Sequence, residues 1–217
     1  MDLGISGRVA IVAAGSKGLG RAVAHELAAN GAAVTICARG QDAIDATCQE
    51  IRAAGGRAHG VAADVSLVAD IARVVDETVR TFGEVDILVT NSGGPKPGRF
   101  EMLTPEDWDA ATRVLLTSAV SFVRAVLPGM RARRWGRIIN ITSIAAKQPV
   151  DGLMLSNSLR AAVTAFGRTL ANEVAADGVT VNMLLPGRLA TDRTLSFDRM
   201  DAYLAEITKG DGNEHGD

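Results

Sequence analysis

Strand-like and helix-like segments alternate along this chain from residue 9 to residue 187, and no other feature restricts its fold as strongly. Short β-branched runs such as VAIVAA (9–14) and VDILVTN (85–91) alternate with amphipathic runs such as LGRAVAHELAAN (19–30). Continuous apolar strands separated by helices are typical of a parallel sheet that is covered on both faces. The alternation therefore predicts an α/β fold with a doubly wound parallel sheet.

The predicted strands cover residues 9–14, 32–38, 58–65, 85–91, 136–143 and 179–187, and the predicted helices cover residues 19–30, 41–55, 67–83, 104–130 and 153–176. A chain of 217 residues, 47% of them hydrophobic, is long enough to bury one substantial core. We expect one domain over residues 1–195. Residues 196–217 are expected to form a short helix near 197–207 and a disordered tail, KGDGNEHGD.

The charge balance favours a small-molecule ligand. The formal net charge is −2 and the charged residues are spread along the chain, which predicts neither nucleic-acid nor membrane binding. The first residues lack a signal-peptide pattern, so we expect a cytoplasmic protein. Cys37 and Cys48 lack metal-ligand spacing, and burial as small apolar side chains is favoured over a reactive role. The three histidines lie far apart in sequence, so no metal site is expected.

A glycine-rich turn, AAGSKGLGRAVA, directly follows the first predicted strand and opens the first predicted helix. Gly18 and Gly20 would let the backbone approach a pyrophosphate at the helix N-terminus, where unpaired N–H groups favour anions. The alternative is a glycine turn that serves only to start the helix. The position between strand and helix favours the phosphate site.

The order of several motifs resembles that of the short-chain dehydrogenase/reductase family, of the kind that includes 3-oxoacyl-acyl-carrier-protein reductases, from about residue 5 to residue 195. The family's Thr-Gly-x-x-x-Gly-x-Gly falls on residues 13–20, with alanine at its first two positions. The resemblance implies a Rossmann-type fold. It also implies cofactor-binding residues, namely Gly15, Ser16, Lys17, Gly18, Leu19, Gly20, Asp64, Val65, Asn91, Ser92, Gly93, Pro186, Gly187 and Thr191.

The end of the second strand predicts which dinucleotide binds. A carboxylate there would bind a ribose 2′-hydroxyl, whereas a cation would pair with a 2′-phosphate. Ala38 stands where the acidic residue would be, Arg39 follows it, and Lys17 supplies a second positive charge. Arg39 can hold a phosphate with two parallel N–H bonds. Two solvated surface cations are the alternative, but they do not explain the missing acid, so NADP(H) is the predicted cofactor.

The family's catalytic serine, tyrosine and lysine are only partly retained. Ser143 matches the serine that polarises the substrate carbonyl, and the family's spacing places the tyrosine at Ser156 and the lysine at Arg160. A count of eight residues back from Arg168 in the RTLA segment gives Arg160 again. The alternative register would use Leu155 and Leu159, which is chemically worse, and the family's helix asparagine falls on Leu115. The chain's only tyrosine, Tyr203, lies in its C-terminal segment.

These residues leave two functions open. The first is an NADP(H)-dependent oxidoreductase acting on a carbonyl or alcohol, or on an activated C=C bond. In it, Ser143 and Ser156 would bracket the reacting oxygen, a water would carry the proton, and Arg160 would bind the nicotinamide ribose. The second is a catalytically impaired NADP(H)-binding sensor or partner subunit. Lys96 and Lys147 are interpreted as solvated loop lysines, although an acidic substrate could use them.

The last part of the sequence is shorter than the family pattern. The resemblance implies a further helix over the substrate pocket and a final strand, which this sequence lacks. Either the sequence is a shortened form or a partner chain completes the pocket. The helices near 105–130 and 153–176 carry long apolar faces, which suit a homo-oligomer, a dimer or tetramer, or equally a buried core. We expect the homo-oligomer.

Overall fold

The fold was analysed in a computed structural model, which describes residues 2–187 and 189. The chain divides into two compact units, Met1–Pro186 and Gly187–Asp217, and the architecture below is that of the first unit. The predicted short helix at 197–207, the tail, Tyr203 and Thr191 lie outside the described residues. The division at residue 195 therefore stays a prediction.

A six-stranded parallel sheet has the strand order β3-β2-β1-β4-β5-β6. Its strands are β1 (Val9–Ala13), β2 (Ala33–Ala38), β3 (Arg57–Ala62), β4 (Ile87–Thr90), β5 (Gly136–Ile141) and β6 (Val179–Leu184). The order reverses between β1 and β4, which is where ligands bind in sheets of this kind. The predicted Rossmann-type fold is confirmed.

Helices cover both faces of the sheet: α1 (Gly18–Ala29), α2 (Gln41–Ala53), α3 (Val68–Phe82), α4 (Pro105–Thr112), α5 (Ser118–Ala132) and α6 (Met154–Val174). Successive residues of β1 point to opposite faces, as in any strand. Ala10 and Val12 pack in the cluster that contains residues of α1 and α2. Ile11 and Ala13 pack with residues of α3, α5 and α6. Continuous burial of β1 thus follows from its central position between two helical layers.

One predicted helix has a defect that the sequence pattern did not indicate. The helix expected over 104–130 is interrupted by a π-helical turn, Arg113–Thr117, which joins α4 to α5. Its start was correct, since Thr104 and Asp107 form a reciprocal capping box. By length and composition alone, Pro105–Ala132 could cross a membrane, but Phe122 and Met130 are buried in the core beside the sheet.

Both cysteines are free thiols and are buried, as expected for small apolar side chains. Burial raises the pKa of Cys37 to about 12, and burial also raises the pKa of Cys48. A thiol with a raised pKa carries little of the nucleophilic thiolate at neutral pH. The inert role is the one that the structure supports.

Candidate active site

The glycine turn forms a tight cradle between β1 and α1. The Gly15 N–H donates to the Cys37 carbonyl of β2 (3.2 Å), and Gly18 has a φ of +52°. A Cβ on Gly20 would lie 2.2 Å from the Ala14 carbonyl oxygen, so no larger residue fits there. The cradle therefore depends on the glycines that the sequence singled out, and Leu19 and Ser16 lie half-buried within it.

The N-terminus of α1 is electrostatically open to an anion. Its first turn holds no acidic residue, and Lys17 at the N-cap gives no side-chain cap. Lys17 and Arg39 are both exposed, and neither side chain forms a hydrogen bond or ion pair within the part of the chain that the structure describes. Unpaired helix N–H groups with two nearby cations favour phosphate binding. The residues present thus fit the phosphates of a dinucleotide.

Two residues that contribute to the cradle were missed by sequence reasoning. Ala14 adopts a left-handed conformation, with a φ of +49°. The Thr47 hydroxyl donates to the Ala43 carbonyl of its own helix (2.8 Å) and also lies 3.3 Å from the Ser16 carbonyl, so it places α2 in contact with the turn. Ala14 was signalled only by its match to a family glycine, and nothing in the sequence near Thr47 indicates its contact.

Replacing Ala14 with glycine is expected to stabilise the protein by about 0.5–1 kcal/mol in urea unfolding. A left-handed alanine costs about 1–2 kcal/mol, which glycine would not. The greater freedom of glycine in the unfolded chain lowers this gain in stability by about 0.4–1 kcal/mol. Ala13→Gly is the matched control, because Ala13 lies in β1 at 1% exposure and should lose stability. Equal destabilisation by both variants would contradict the interpretation of strain at Ala14.

The loop after β3 is ordered by acidic side chains. The Asp64 N–H donates to the Asp70 carboxylate (2.7 Å), and Asp64 Oδ1 accepts from the Ser66 N–H (2.9 Å). The Asp64 N–H is the main cause that lowers the pKa of Asp70. Asp64 and Val65 are half-buried, and the Ala63 N–H donates to the Ala38 carbonyl (2.7 Å). The residues Asp64 and Val65, which the family resemblance implies as cofactor-binding, thus lie beside the end of β2.

Asn91 lies next to the glycine cradle, directly after β4 in the middle of the sheet. Its Nδ2 lies 3.1 Å from the Cβ position of Gly20. Asn91 and Ser92, which follow β4, also line a cavity of about 10 Å³, roughly the size of one water molecule. The other residues lining it are Thr90, Leu115, Ser118, Ala119, Ile141, Thr142, Arg160 and Val163. Gly93 is exposed just beyond it.

Ser143 is held in a position to donate a hydrogen bond. Its Oγ accepts from the Ala145 N–H (3.1 Å) and caps the short 3-10 helix Ile144–Ala146. Because the backbone donor occupies one lone pair, the hydroxyl hydrogen remains available to a ligand. The Ile144 N–H donates to the Pro186 carbonyl (3.1 Å), which brings the end of β6 to the same place, with Gly187 exposed after it.

The first turns of α6 carry Ser156 and Arg160, four residues apart and therefore on one helix face. Leu155 and Leu159 are instead buried in an apolar cluster with Leu115 of the π turn. The leucine register, the alternative left open by the sequence, therefore does not face the cleft. Within the described residues, the Ser156 hydroxyl forms no hydrogen bond to Ser143 or to any other group.

Arg160 contacts the backbone at the end of β5. Its Nη1 donates to the Thr142 carbonyl (2.8 Å) and to the Ile141 carbonyl (3.3 Å). The Thr142 N–H and hydroxyl in turn bond to the Leu184 carbonyl of β6 (2.8 and 3.2 Å). Arg160 thus links α6, β5 and β6 directly before Ser143, a role that the sequence alone did not indicate.

The two lysines near the cleft differ. Lys96 Nζ lies 2.8 Å from Asp107 Oδ2, and this bond is the main cause that lowers the pKa of Asp107. Lys147 is exposed and has no ion pair among the described residues. Lys96 is already paired with Asp107. Of these two lysines, Lys147 is therefore the one whose charge is available to an acidic substrate.

Comparison with known proteins decides the family. The sequence pattern of the family described as short chain dehydrogenase matches residues 8–202. This chain belongs to the short-chain dehydrogenase family. Among its relatives, the 3-oxoacyl-[acyl-carrier-protein] reductase of Synechocystis sp. is 37% identical over 191 residues, covering 88% of this chain and 77% of the relative. The FabG reductase of Escherichia coli is 34% identical over 210 residues, covering 96% and 85%.

Solved structures of the short-chain dehydrogenase family have the same fold. L-Sorbose reductase from Gluconobacter frateurii, complexed with NADPH and L-sorbose, superimposes with a TM-score of 0.89 at 34% identity, covering 99% of this chain and 80% of that one. Actinorhodin polyketide ketoreductase with NADPH gives a TM-score of 0.86 at 34% identity, covering 92% and 77%. The resemblance to the family that the motifs indicated is therefore confirmed. The likeness to 3-oxoacyl-[acyl-carrier-protein] reductases is confirmed as well.

Proposed function

We propose that this short-chain dehydrogenase is an NADP(H)-dependent oxidoreductase that acts on a carbonyl or alcohol. The observation that carries the proposal is a pair of exposed cations, Lys17 and Arg39, whose side chains have no partner among the described residues. They accompany the glycine cradle, and the neighbouring strand β2 ends in Ala38 rather than in an acid. Two related structures also contain NADPH.

In this proposal, residues 15–20 hold the pyrophosphate, Arg39 and Lys17 the 2′-phosphate, and Asp64 with Val65 the adenine. Asn91, Ser92 and Gly93 are proposed to contact the nicotinamide half, and the family resemblance implies the same role for Pro186, Gly187 and Thr191. When bound, NADPH supplies hydride-transfer chemistry. The protein's task is then to orient the substrate and to stabilise charge on its oxygen.

Ser143 is the proposed hydrogen-bond donor to the reacting oxygen, because its hydroxyl hydrogen is not used in the 3-10 turn. Ser156 is proposed to lie on the other side of that oxygen, with a water carrying the proton. Arg160 cannot release a proton at neutral pH, so we propose that it donates a hydrogen bond to the nicotinamide ribose and does not act as a proton donor.

A second candidate is a catalytically impaired NADP(H)-binding sensor or partner subunit. Three observations favour it. A serine stands at the family's tyrosine position, and Leu115, buried in an apolar cluster, stands at the position of the family's helix asparagine. In addition, Arg160 Nη1 is bonded to two backbone carbonyls. Each removes a group that would move or relay a proton. The retained Ser143 favours the enzyme.

We also propose that the protein works in the cytoplasm as a homo-oligomer, a dimer or tetramer, and binds a small-molecule substrate. The α4–α5 and α6 helices carry half-buried apolar side chains such as Leu116, Val120 and Phe166, which would suit a helical interface. Size-exclusion chromatography with light scattering measures the subunit number directly.

The decisive experiment combines binding with turnover. Fluorescence titration is expected to show tighter binding of NADPH than of NADH, and NADPH oxidation is then followed with ketones, quinones and acyl thioesters. Ser143→Ala should abolish any turnover observed while leaving NADPH affinity unchanged. Ser158→Ala, an exposed serine on α6, is the matched control. Tight NADPH binding without turnover on any substrate would favour the sensor, and an active Ser143→Ala protein would contradict the role of Ser143.

A further inference from the structure

The segment 141–150, which carries Ser143 and the 3-10 helix, is attached to α6 at both ends. At its start, Arg160 donates to the carbonyls of Ile141 and Thr142. At its end, Asn157 pairs with Val150: the Val150 N–H donates to Asn157 Oδ1 (3.2 Å), and Asn157 Nδ2 donates to the Val150 carbonyl (2.9 Å). Both attachments come from side chains within one turn of the same helix.

The Asn157 contact uses both the donor group and the acceptor group of a carboxamide. One side chain supplies a donor and an acceptor that match the N–H and C=O of a single residue, as a neighbouring peptide group would in a strand pair. Aspartate could still accept from the Val150 N–H but could not donate, and alanine could do neither. Arg160 differs from lysine in a related way, because the planar guanidinium fixes the directions of its N–H groups, whereas an ammonium on a flexible stem does not.

Between the two attachments the backbone is internally bonded. The Ser143 Oγ accepts from Ala145, and the N–H groups of Lys147 and Gln148 both donate to the Ile144 carbonyl (2.9 Å each). A short bonded turn fixed at both ends has little freedom to shift. The position of the Ser143 Oγ atom therefore follows from bonds within the protein.

We propose that Asn157 and Arg160 are positioning residues that hold the segment 141–150 in one conformation before any ligand binds. The inference rests on the proposed function only in treating Ser143 as the ligand-facing donor. In consequence, the site is preformed rather than assembled by the cofactor, and Arg160 affects Ser143 through the Thr142 backbone. Preorganised donors of this kind lower the reorganisation needed at a reacting oxygen.

The test is amide hydrogen exchange, followed by NMR, on the wild-type protein without cofactor. The Ala145 and Val150 amides should be protected in it. Asn157→Ala should speed exchange at Val150 by about tenfold and Asn157→Asp by less, because one hydrogen bond is worth a few- to tenfold in a local opening equilibrium. Arg160→Met should speed exchange at Ala145 similarly, and Arg160→Lys should partly restore its protection.

Two controls separate local positioning from general loss of structure. Exchange at Val12 in the core should be unchanged in every variant, and Ser158→Ala should leave both reporter amides as in the wild type. With any substrate that the wild type turns over, Asn157→Ala should lower kcat about tenfold while the Kd for NADPH stays constant.

Two results would overturn the proposal. One is unchanged exchange at Ala145 and Val150 in the variants of both positioning residues. The other is rapid exchange at these amides in the wild type that becomes slow only on addition of NADPH, since the cofactor would then order the segment. A wild-type protein that fails to bind NADPH would refute the proposed function while leaving the exchange result intact.

Discussion

Replacing Ser156 with tyrosine and Arg160 with lysine in one protein is expected to raise the rate of carbonyl reduction with NADPH by about 10²- to 10⁴-fold. That range is the typical contribution of a positioned general acid. A phenol has an ordinary pKa of about 10 and can therefore donate a proton far more readily than a serine hydroxyl. The two positions lie on one face of α6, next to the segment that carries Ser143.

The double substitution is needed because the residues act on each other. A lysine cation close to a tyrosine lowers the pKa of the phenol, whereas the guanidinium of Arg160 is held by the Ile141 and Thr142 carbonyls. A lysine at 160 can keep one donor on Thr142 while placing its charge nearer residue 156. We expect Ser156→Tyr alone to give less than a tenth of the full gain.

Steady-state kinetics with a reactive ketone measure the effect. Ser156→Phe combined with Arg160→Lys is the matched control, since it adds the ring without the hydroxyl and should give no gain. If the phenylalanine protein were accelerated equally, the benefit would come from packing and not from proton donation. The gain should also decline as pH rises through the pKa of the new tyrosine, because only the protonated phenol donates.

Much of the fold could be predicted because local pattern and tertiary position agree in this sheet. Strand β1 is apolar at every position, and a strand buried between two helical layers must be. The start of a helix at Thr104 was likewise predictable from neighbouring residues, and the structure adds the reciprocal bond of the Asp107 side chain. The π turn at Arg113–Thr117 was not, because its extra residue lies in a segment whose apolar spacing still fits a continuous helix.

The part of the candidate site that could be predicted is the glycine turn, whose contacts are made between residues close together in the sequence. Gly20 is required by its approach to Ala14, six residues earlier in the same turn. The bonds of Asn157 and Arg160 could not be predicted, because each depends on a carbonyl or N–H that tertiary folding brings alongside α6. The sequence analysis assigned Arg160 to the lysine position and to the nicotinamide ribose, and that role stays a prediction; its bonds to the Ile141 and Thr142 carbonyls were not predicted.

The cofactor preference should reverse when the end of β2 is rebuilt. Ala38→Asp with Arg39→Ala is expected to raise the Kd for NADPH by about 10- to 100-fold and to lower the Kd for NADH. A hydrogen bond to a charged group contributes about 1.5–3 kcal/mol, and a carboxylate beside the 2′-phosphate would add repulsion. The same carboxylate can accept from the ribose 2′-hydroxyl of NADH. Fluorescence titration with both cofactors gives the two constants.

Two controls distinguish a direct contact between Arg39 and the 2′-phosphate from an effect of the protein's net charge. One is a second arginine variant, and the other is the dependence of binding on salt. Arg168→Ala removes the same charge from an exposed site on α6 and should leave both constants unchanged. NADPH binding by the wild type should weaken with added salt, because Lys17 and Arg39 are exposed and screened by ions. NADH binding by the double variant should depend on salt much less. Equal losses in the Arg168 and Arg39 proteins would mean that net charge, and not the end of β2, selects the cofactor.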